Sequence, residues 1–281
     1  MKRGELRALL EEHGLSPRQM FGQNFLIDPA LLAAIPGDAE VQPGDRVLEV
    51  GPGAGSLTRE LLDAGTLVLA VEIDAGLVKL LRERFADELA EGRLQLLHSD
   101  VLGPDESFHP EVEDWWQAGP PPRVVANLPY AISGPFLARL AGRPLRSACL
   151  LLQKEVAEKA AQRADRGPLP IRLAQHFDAR LGRRVPAQVF WPRPKIDSAF
   201  LHLTPRPVAP DPATDAALRR MLRAGFAQRR KRVLGLLSKE WPEAAVALQG
   251  LGVAESARAE EVDPATWRAA AEDLARHEDC V

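Results

Sequence analysis

Apolar residues fall along this chain in short runs, at positions 46–50, 67–71, 94–97, 124–126 and 148–152. Each is too short for a stable helix and unbroken enough for a strand buried on both faces. Between them, positions 56–64 and 75–90 carry apolar residues at helical spacing. Strands alternating with helices predict βαβ units and a parallel sheet. The rhythm then changes. Positions 176–185 and 199–204 read as strands, yet the proline-rich stretch 186–194 between them has no helical pattern, so the two are expected to pair antiparallel at the sheet edge. That gives a seven-stranded, Rossmann-like α/β sheet with an antiparallel edge. A proline-rich linker at 204–212 follows, and only helical patterns remain beyond it, which predicts a small all-helical domain over 215–277. The division expected is 1–205 for the α/β domain and 206–281 for the helical one. Positions 102–122, ending in Pro120-Pro121-Pro122, read as a surface insertion that Trp115 and Trp116 pack down. No internal repeat is visible.

Composition narrows the class. With 281 residues, 46% hydrophobic and 27% charged, the chain reads as a soluble globular protein whose larger domain can bury a substantial core. The start, Met1-Lys2-Arg3-Gly4-Glu5-Leu6-Arg7, has no apolar signal core, and no window approaches about 18 consecutive apolar residues, so a cytoplasmic protein without a membrane partner is expected. Two cysteines, Cys149 and Cys280, support neither a zinc site nor a disulfide framework, and no metal is expected. The net charge of −3 conceals a division, because residues 139–195 hold 13 Lys/Arg against 4 Asp/Glu. Between Asp215 and Glu240 stand Arg219, Arg220, Arg223, Arg229, Arg230, Lys231, Arg232 and Lys239 with no acid, while Asp105, Glu106, Glu111, Glu113 and Asp114 fall in one stretch without a base. Such asymmetry predicts a positive face for a polyanion on a chain that is acidic overall. Positions 223, 227, 230 and 231 recur near helical spacing, so Arg223, Arg229, Arg230 and Lys231 are candidate RNA-binding residues, at least three of them on one helix.

The predicted strand ends carry the candidate chemistry. Asn127-Leu128-Pro129-Tyr130 follows the run at 124–126. An exocyclic amine such as adenine N6 attacks a methyl group poorly because its lone pair is delocalised into the ring. An Asn oxygen and a backbone carbonyl that accept its two N–H bonds correct that. Pro129 removes a competing donor and fixes φ, and Tyr130 offers a flat face for a purine. An ordinary turn exit also uses Asn and Pro. Glu49-Val50-Gly51-Pro52-Gly53-Ala54-Gly55-Ser56 ends the first strand and opens a helix; Gly51, Gly53 and Gly55 let the backbone approach a ligand. Ser56 stands where a dinucleotide fingerprint requires glycine, which disfavours an NAD-dependent dehydrogenase and matches the Gly-x-Gly-x-Gly form suited to S-adenosylmethionine. Glu72, with Ile73, ends the second strand where a carboxylate can accept ribose hydroxyls, and Asp100 ends the third, placed to accept from the cofactor's adenine amine. Each acid alone reads equally as a helix cap or a surface charge. Four strand ends together point to one ligand site.

Gln23-Asn24-Phe25-Leu26 after Phe21-Gly22, the Gly51 to Gly55 loop, the Asn127 tetrad, Leu152-Gln153-Lys154-Glu155-Val156, Phe190 through Ala199 and Phe226-Ala227-Gln228-Arg229-Arg230-Lys231 together resemble the successive signatures of the rRNA adenine N6,N6-dimethyltransferases, over nearly the whole chain. The Pro194-Lys195-Ile196-Asp197-Ser198-Ala199 stretch and the Arg-Arg-Lys segment resemble its KsgA (RsmA) branch, which dimethylates two adjacent adenosines in the 3′-terminal hairpin of small-subunit rRNA. The resemblance implies S-adenosylmethionine as cofactor, small-subunit rRNA in the assembling 30S particle as partner, and a monomer. It further implies that Gln23 and Asn24 contact the methionine end of the cofactor, that Leu26 and Asn127 also touch the cofactor, that Glu72 holds the ribose, and that Asp100 with the Val101 amide reads the cofactor adenine. Phe190 would stack on the target base opposite Tyr130. Two positions depart from the pattern: Ala131 replaces an Asn after the tyrosine, and Arg166 precedes Gly167 where an aromatic is common. A resistance methylase acting on large-subunit rRNA, and an assembly factor in which methylation is secondary, are the neighbouring readings.

Overall fold

The computed structural model of the chain describes residues 1–18, 22–104, 107–161, 166–228 and 230–278. Its strands are β1 (Phe25–Leu26), β2 (Arg46–Val50), β3 (Leu67–Glu72), β4 (Leu94–His98), β5 (Arg123–Asn127), β6 (Ser147–Gln153), β7 (Phe177–Val185), β8 (Phe190–Trp191) and β9 (Ser198–Pro205). Helices α1 (Arg3–Glu12), α2 (Pro29–Asp38), α3 (Ser56–Asp63), α4 (Ala75–Arg84), α5 (Ala86–Ala90), α6 (Pro110–Gln117), α7 (Ser133–Leu140), α8 (Lys154–Ala161) and α9 (Pro168–His176) lie between or beside them. The last four are α10 (Pro212–Gly225), α11 (Val233–Glu240), α12 (Pro242–Gly250) and α13 (Pro264–Glu278).

Seven strands form one sheet in the order β4-β3-β2-β5-β6-β9-β7. β4, β3, β2, β5 and β6 run parallel, with Leu48 opposite Leu69 and Val124, and β9 turns antiparallel to β6. Val47, Leu48, Val124, Leu150 and Leu151 are sealed from solvent, as expected of strands covered on both faces. The chain builds outward from β2 to β4, then crosses back to β5 on the other side of β2. That reversal opens a crevice at the carboxyl ends of β2 and β5, where ligands of open α/β sheets bind.

The connection from β4 to β5 is not a surface insertion. It folds into α6, the crossover helix of a βαβ unit, because Phe108, Val112 and Trp116 recur four apart and all turn inward. Phe108 stacks on Trp116 with centroids 5.6 Å apart, and Trp116 Nε1 donates to the Pro144 carbonyl at 2.7 Å. The helix expected over 75–90 is divided into α4 and α5 at Phe85, whose backbone leaves helical values (φ −119°, ψ 33°). Phe85 is fully buried, and its ring would lie 2.4 Å from a Cβ at Gly55; packing that ring under the glycine loop breaks the helix.

Contacts divide the chain into two units: Met1–Arg139 with Arg143–Glu158 and Ala179–Pro205, and Leu140–Gly142 with Lys159–Asp178 and Arg206–Val281. α9 and residues 140–142 fall in the second unit with 206–281, and not with the strands. Ile171 of α9 is part of the helical core with Leu218, Met221 and Trp267. Arg172 donates to both oxygens of Asp215 at 2.9 and 2.7 Å, and His176 Nε2 donates to Asp215 at 2.7 Å. Burial alone would raise the Asp215 carboxyl; the His176 hydrogen bond and the Arg172 guanidinium outweigh it and hold it well below the usual carboxylate range. Arg166 belongs there as well, donating to the Glu261 carbonyl at 3.2 Å.

Candidate active site

One pocket at the carboxyl ends of β2, β3, β4 and β5 gathers Gln23, Asn24, Leu26, Gly51, Gly53, Glu72, Ile73, Asp100, Val101, Asn127, Leu128, Pro129 and Tyr130. Local chemistry explains each position. The turn after β2 runs through Gly53 at φ 60° and Gly55 at φ 79°, left-handed values that cost a residue with a Cβ. At Gly53 a Cβ would also meet the Phe25 ring at 2.9 Å, so the N-terminal segment packs directly on the loop. Gly55 does not line the pocket; it lets the loop settle on Phe85 and begins α3.

Glu72 is 4% exposed and both its oxygens accept from backbone, Oε2 from Gly53 N–H at 3.1 Å and Oε1 from Asp74 N–H at 3.0 Å. Burial and the charge of Asp74 push its carboxyl up, against the hydrogen bonds from Asp74 and Gly53. Asp100 accepts from Leu102 N–H at 2.9 Å through Oδ1 and stays exposed at the pocket edge. In the tetrad, Leu128 N–H donates to the Leu151 carbonyl at 3.1 Å, Pro129 sits at φ −54°, and Tyr130 exchanges a hydrogen bond with Ser198 Oγ at 2.7 Å. Asn127 Nδ2 donates to the Asn24 carbonyl at 2.9 Å. Ala131, the departure next to the tetrad, is exposed in a short 3-10 turn, Tyr130–Ile132.

Two placements differ from the sequence reading. Phe190 does not line the pocket; at 2% exposed it belongs to the core cluster with Leu26, Leu61, Val125 and Leu151. Its strand pairs with β1, Leu26 opposite Phe190 and Phe25 opposite Trp191, and the ring packs into the core. Nor do the basic residues share a helix. α10 ends at Gly225, where a Cβ would meet the Trp267 ring at 2.7 Å, and Arg230 and Lys231 lie exposed in the turn before α11. Arg223 is exposed on α10; Arg229 and Phe21 fall outside the described residues.

One residue of the pocket gave no separate signal. Glu49, inside β2, is 1% exposed with Oε2 lacking any hydrogen-bond partner among the described residues. Burial, reinforced by the charge of Glu72, pushes its carboxyl up to about 8. An acid at the fourth place of a strand otherwise buried was the available clue, since buried acids are paired or serve a ligand.

A parallel sheet with an antiparallel strand beside β6, a glycine loop after β2 and acids at the ends of β3 and β4 define the class: a Rossmann-like class I methyltransferase with a helical unit after it. The model of the family described as ribosomal RNA adenine dimethylase matches residues 14–276. A ribosomal RNA small subunit methyltransferase A of Phenylobacterium zucineum is 41% identical over 279 residues, covering 97% of this chain and 94% of that protein. One of the same name from Magnetococcus marinus is 39% identical over 266 residues, covering 92% and 91%. Among solved structures, the 23S rRNA methyltransferase ErmE superposes with a TM-score of 0.60 at 28% identity, covering 89% of this chain and 99% of that one. The chain belongs to the ribosomal RNA adenine dimethylase family.

Proposed function

We propose that this protein transfers methyl groups from S-adenosylmethionine to N6 of two adjacent adenosines in the 3′-terminal hairpin of small-subunit rRNA, in the cytoplasm, as a single chain acting on the assembling 30S particle. The observation that carries the reading is the pocket itself: the Asn127 tetrad, Glu72, Asp100 and the glycine loop, four separate strand ends, face one cavity. The relatives at 39 and 41% identity, both named for the small subunit, support that substrate over a large-subunit one.

The residues present fit the cofactor. Glu49 lines the pocket and has a buried oxygen without a hydrogen-bond partner, which an ammonium group would satisfy. Glu72 is fixed by two backbone N–H groups and keeps lone pairs for ribose hydroxyls. Within this pocket Asp100 and the Val101 amide would take an adenine edge, and Asn24, with Leu26 beside it, would flank the methionine end. The cofactor supplies the methyl group on a sulfonium, which needs no further activation.

The chain's own contribution is orientation. Asn127 Oδ1 and the Leu128 carbonyl accept the two N–H bonds of the target amine, turning its lone pair out of the ring plane toward the methyl donor. Tyr130 supplies a stacking face, so the base must leave its helix. The methylated amine sheds its proton to water, so no strong base is required. A once-methylated amine re-enters with its remaining N–H accepted, which permits the second transfer. The exposed Arg223, Arg230 and Lys231 of the helical unit, with Arg229, supply charge for phosphates.

The test is to incubate the protein with labelled S-adenosylmethionine and small subunits lacking the modification, then to map the label. Dimethyladenosine at two adjacent positions of the 3′-terminal hairpin is expected. Label in large-subunit rRNA alone would establish the other substrate, and no label in either RNA would refute the activity.

A further inference from the structure

The Asn127 side chain has a donor end and an acceptor end, and methylation of an amine needs the acceptor. An unconstrained amide at a strand end turns either way. Here Nδ2 faces the Asn24 backbone carbonyl at 2.9 Å. A carbonyl only accepts, so the flipped amide would set two oxygens against each other and lose the hydrogen bond. The Asn24 carbonyl thereby leaves Oδ1 for the ligand.

That carbonyl is itself held. Asn24 Nδ2 donates to the Gly22 carbonyl at 3.0 Å. Next to it, Gln23 is engaged at both ends of its amide, Oε1 accepting from Arg18 N–H at 2.8 Å and Nε2 donating to Asp74 Oδ2 at 3.1 Å. Arg18 adds an ion pair to the same oxygen at 3.6 Å. Asp74 is 3% exposed and divides its two oxygens between two tasks. Oδ1 caps α4, accepting from the N–H groups of Gly76 and Leu77 at 2.9 and 3.4 Å, while Oδ2 serves Gln23 and Arg18. Beyond Asn24 the segment continues as β1, with the Phe25 ring against Gly53, so residues 22–26 are held on both sides. Gln23, expected from the resemblance to face the cofactor, thus spends its polar atoms on this anchor.

We propose that Asp74 is a positioning residue for methyl transfer: through Gln23 it fixes the Asn24 carbonyl, which assigns the acceptor end of Asn127 to the target amine. The proposal rests on Asn127 accepting from that amine, as set out above. It assigns Asp74 no contact with cofactor or RNA.

The two tasks of Asp74 can be separated. Asp74→Asn keeps an oxygen for the cap, where Asn serves as well as Asp, but turns an NH2 toward the Gln23 NH2. Gln23→Glu alone sets two carboxylates together. Combined, the two substitutions restore one donor to one acceptor with the roles exchanged, and an oxygen remains for the Arg18 N–H. Single-turnover methylation of unmodified small subunits at saturating S-adenosylmethionine, cofactor affinity by calorimetry, and the thermal midpoint are measured for native, single and double variants. Each single variant is expected to slow transfer about tenfold with cofactor affinity within about threefold, and the double variant to recover to within about threefold of native. A native rate in either single variant, a loss located wholly in cofactor affinity or thermal midpoint, or a double variant as slow as the slower single one would overturn the proposal. A native chain that transfers no methyl would overturn the reading of the site instead, so the two failures are distinguishable.

Discussion

The Gly53 N–H donates to Glu72 Oε2 at 3.1 Å, joining the loop after β2 to the acid that ends β3. The other oxygen accepts from Asp74 N–H at 3.0 Å, so the carboxylate is aimed before any ligand arrives. Glu72→Ala is expected to weaken S-adenosylmethionine binding at least tenfold, about 1.4 kcal/mol, in a chain that still folds. Glu72→Gln is expected to do no better, because its NH2 would face the N–H of Gly53 or Asp74. Calorimetry giving native affinity for either variant would remove Glu72 from the cofactor site.

Asn127→Ala separates chemistry from binding. The lost oxygen orients the amine chiefly in the transition state, so the rate constant should fall by two or more orders of magnitude, roughly 3 kcal/mol, while affinities for cofactor and RNA stay near native. A matching fall in RNA affinity would show that Asn127 shapes the pocket and does not act on the amine.

The strand ends were legible in the sequence because a glycine loop, two acids and the Asn127 tetrad each follow a short apolar run, and ligand sites of such sheets lie there. Burial was not. Phe190 stands in a motif of prolines and charges that looks exposed, whereas on β8, paired with β1, its ring packs into the core. The helical spacing of Arg223, Arg230 and Lys231 crosses Gly225, where Trp267, distant in sequence, packs so closely that α10 ends. Three prolines after α6 masked the spacing of Phe108, Val112 and Trp116, which was present to be read.

Phe190 provides a direct check on that correction. As a core ring it should cost about 3–5 kcal/mol of stability when cut to alanine, with cofactor-independent unfolding at lower denaturant. A ring held out for a base would cost little. Urea midpoints for Phe190→Ala and Tyr130→Ala compare the buried ring with the half-exposed one.

Glu49 makes stability depend on pH in an unusual direction. Its folded value of about 8 lies above the 4.5 of an unperturbed Glu, so over that window the folded state holds a proton that the unfolded state has released. Stability contributed by Glu49 is therefore full below pH 4.5 and lost as pH rises through about 8. The slope is at most about 1.4 kcal/mol per pH unit. Glu49→Gln should abolish it, visible as the difference between the two chains in urea midpoints at acidic, neutral and alkaline pH. An ammonium beside Glu49 favours the ionised form, so cofactor binding near neutrality should release a proton, read from calorimetry in buffers of different ionisation enthalpy. Identical pH profiles in the two chains would show Glu49 ionised in the folded state.

Arg230 and Lys231 sit exposed in the turn between α10 and α11, where Lys231 N–H donates to the Gln228 carbonyl at 3.0 Å. A turn presents its side chains outward without the regular spacing of a helix, so their charges form one local patch. If that patch tracks phosphates, each contact releases counterions, and the slope of log affinity against log salt measures how many are made. Replacing both by glutamine should flatten that slope for the small-subunit particle by roughly one to two units and leave cofactor affinity and the thermal midpoint unchanged. If the two side chains serve the turn's own fold instead, the slope will stay native and the thermal midpoint will fall. Arg223, one helix away in the same unit, serves as the internal comparison, since a third charge on the same path should remove a further increment of roughly one unit.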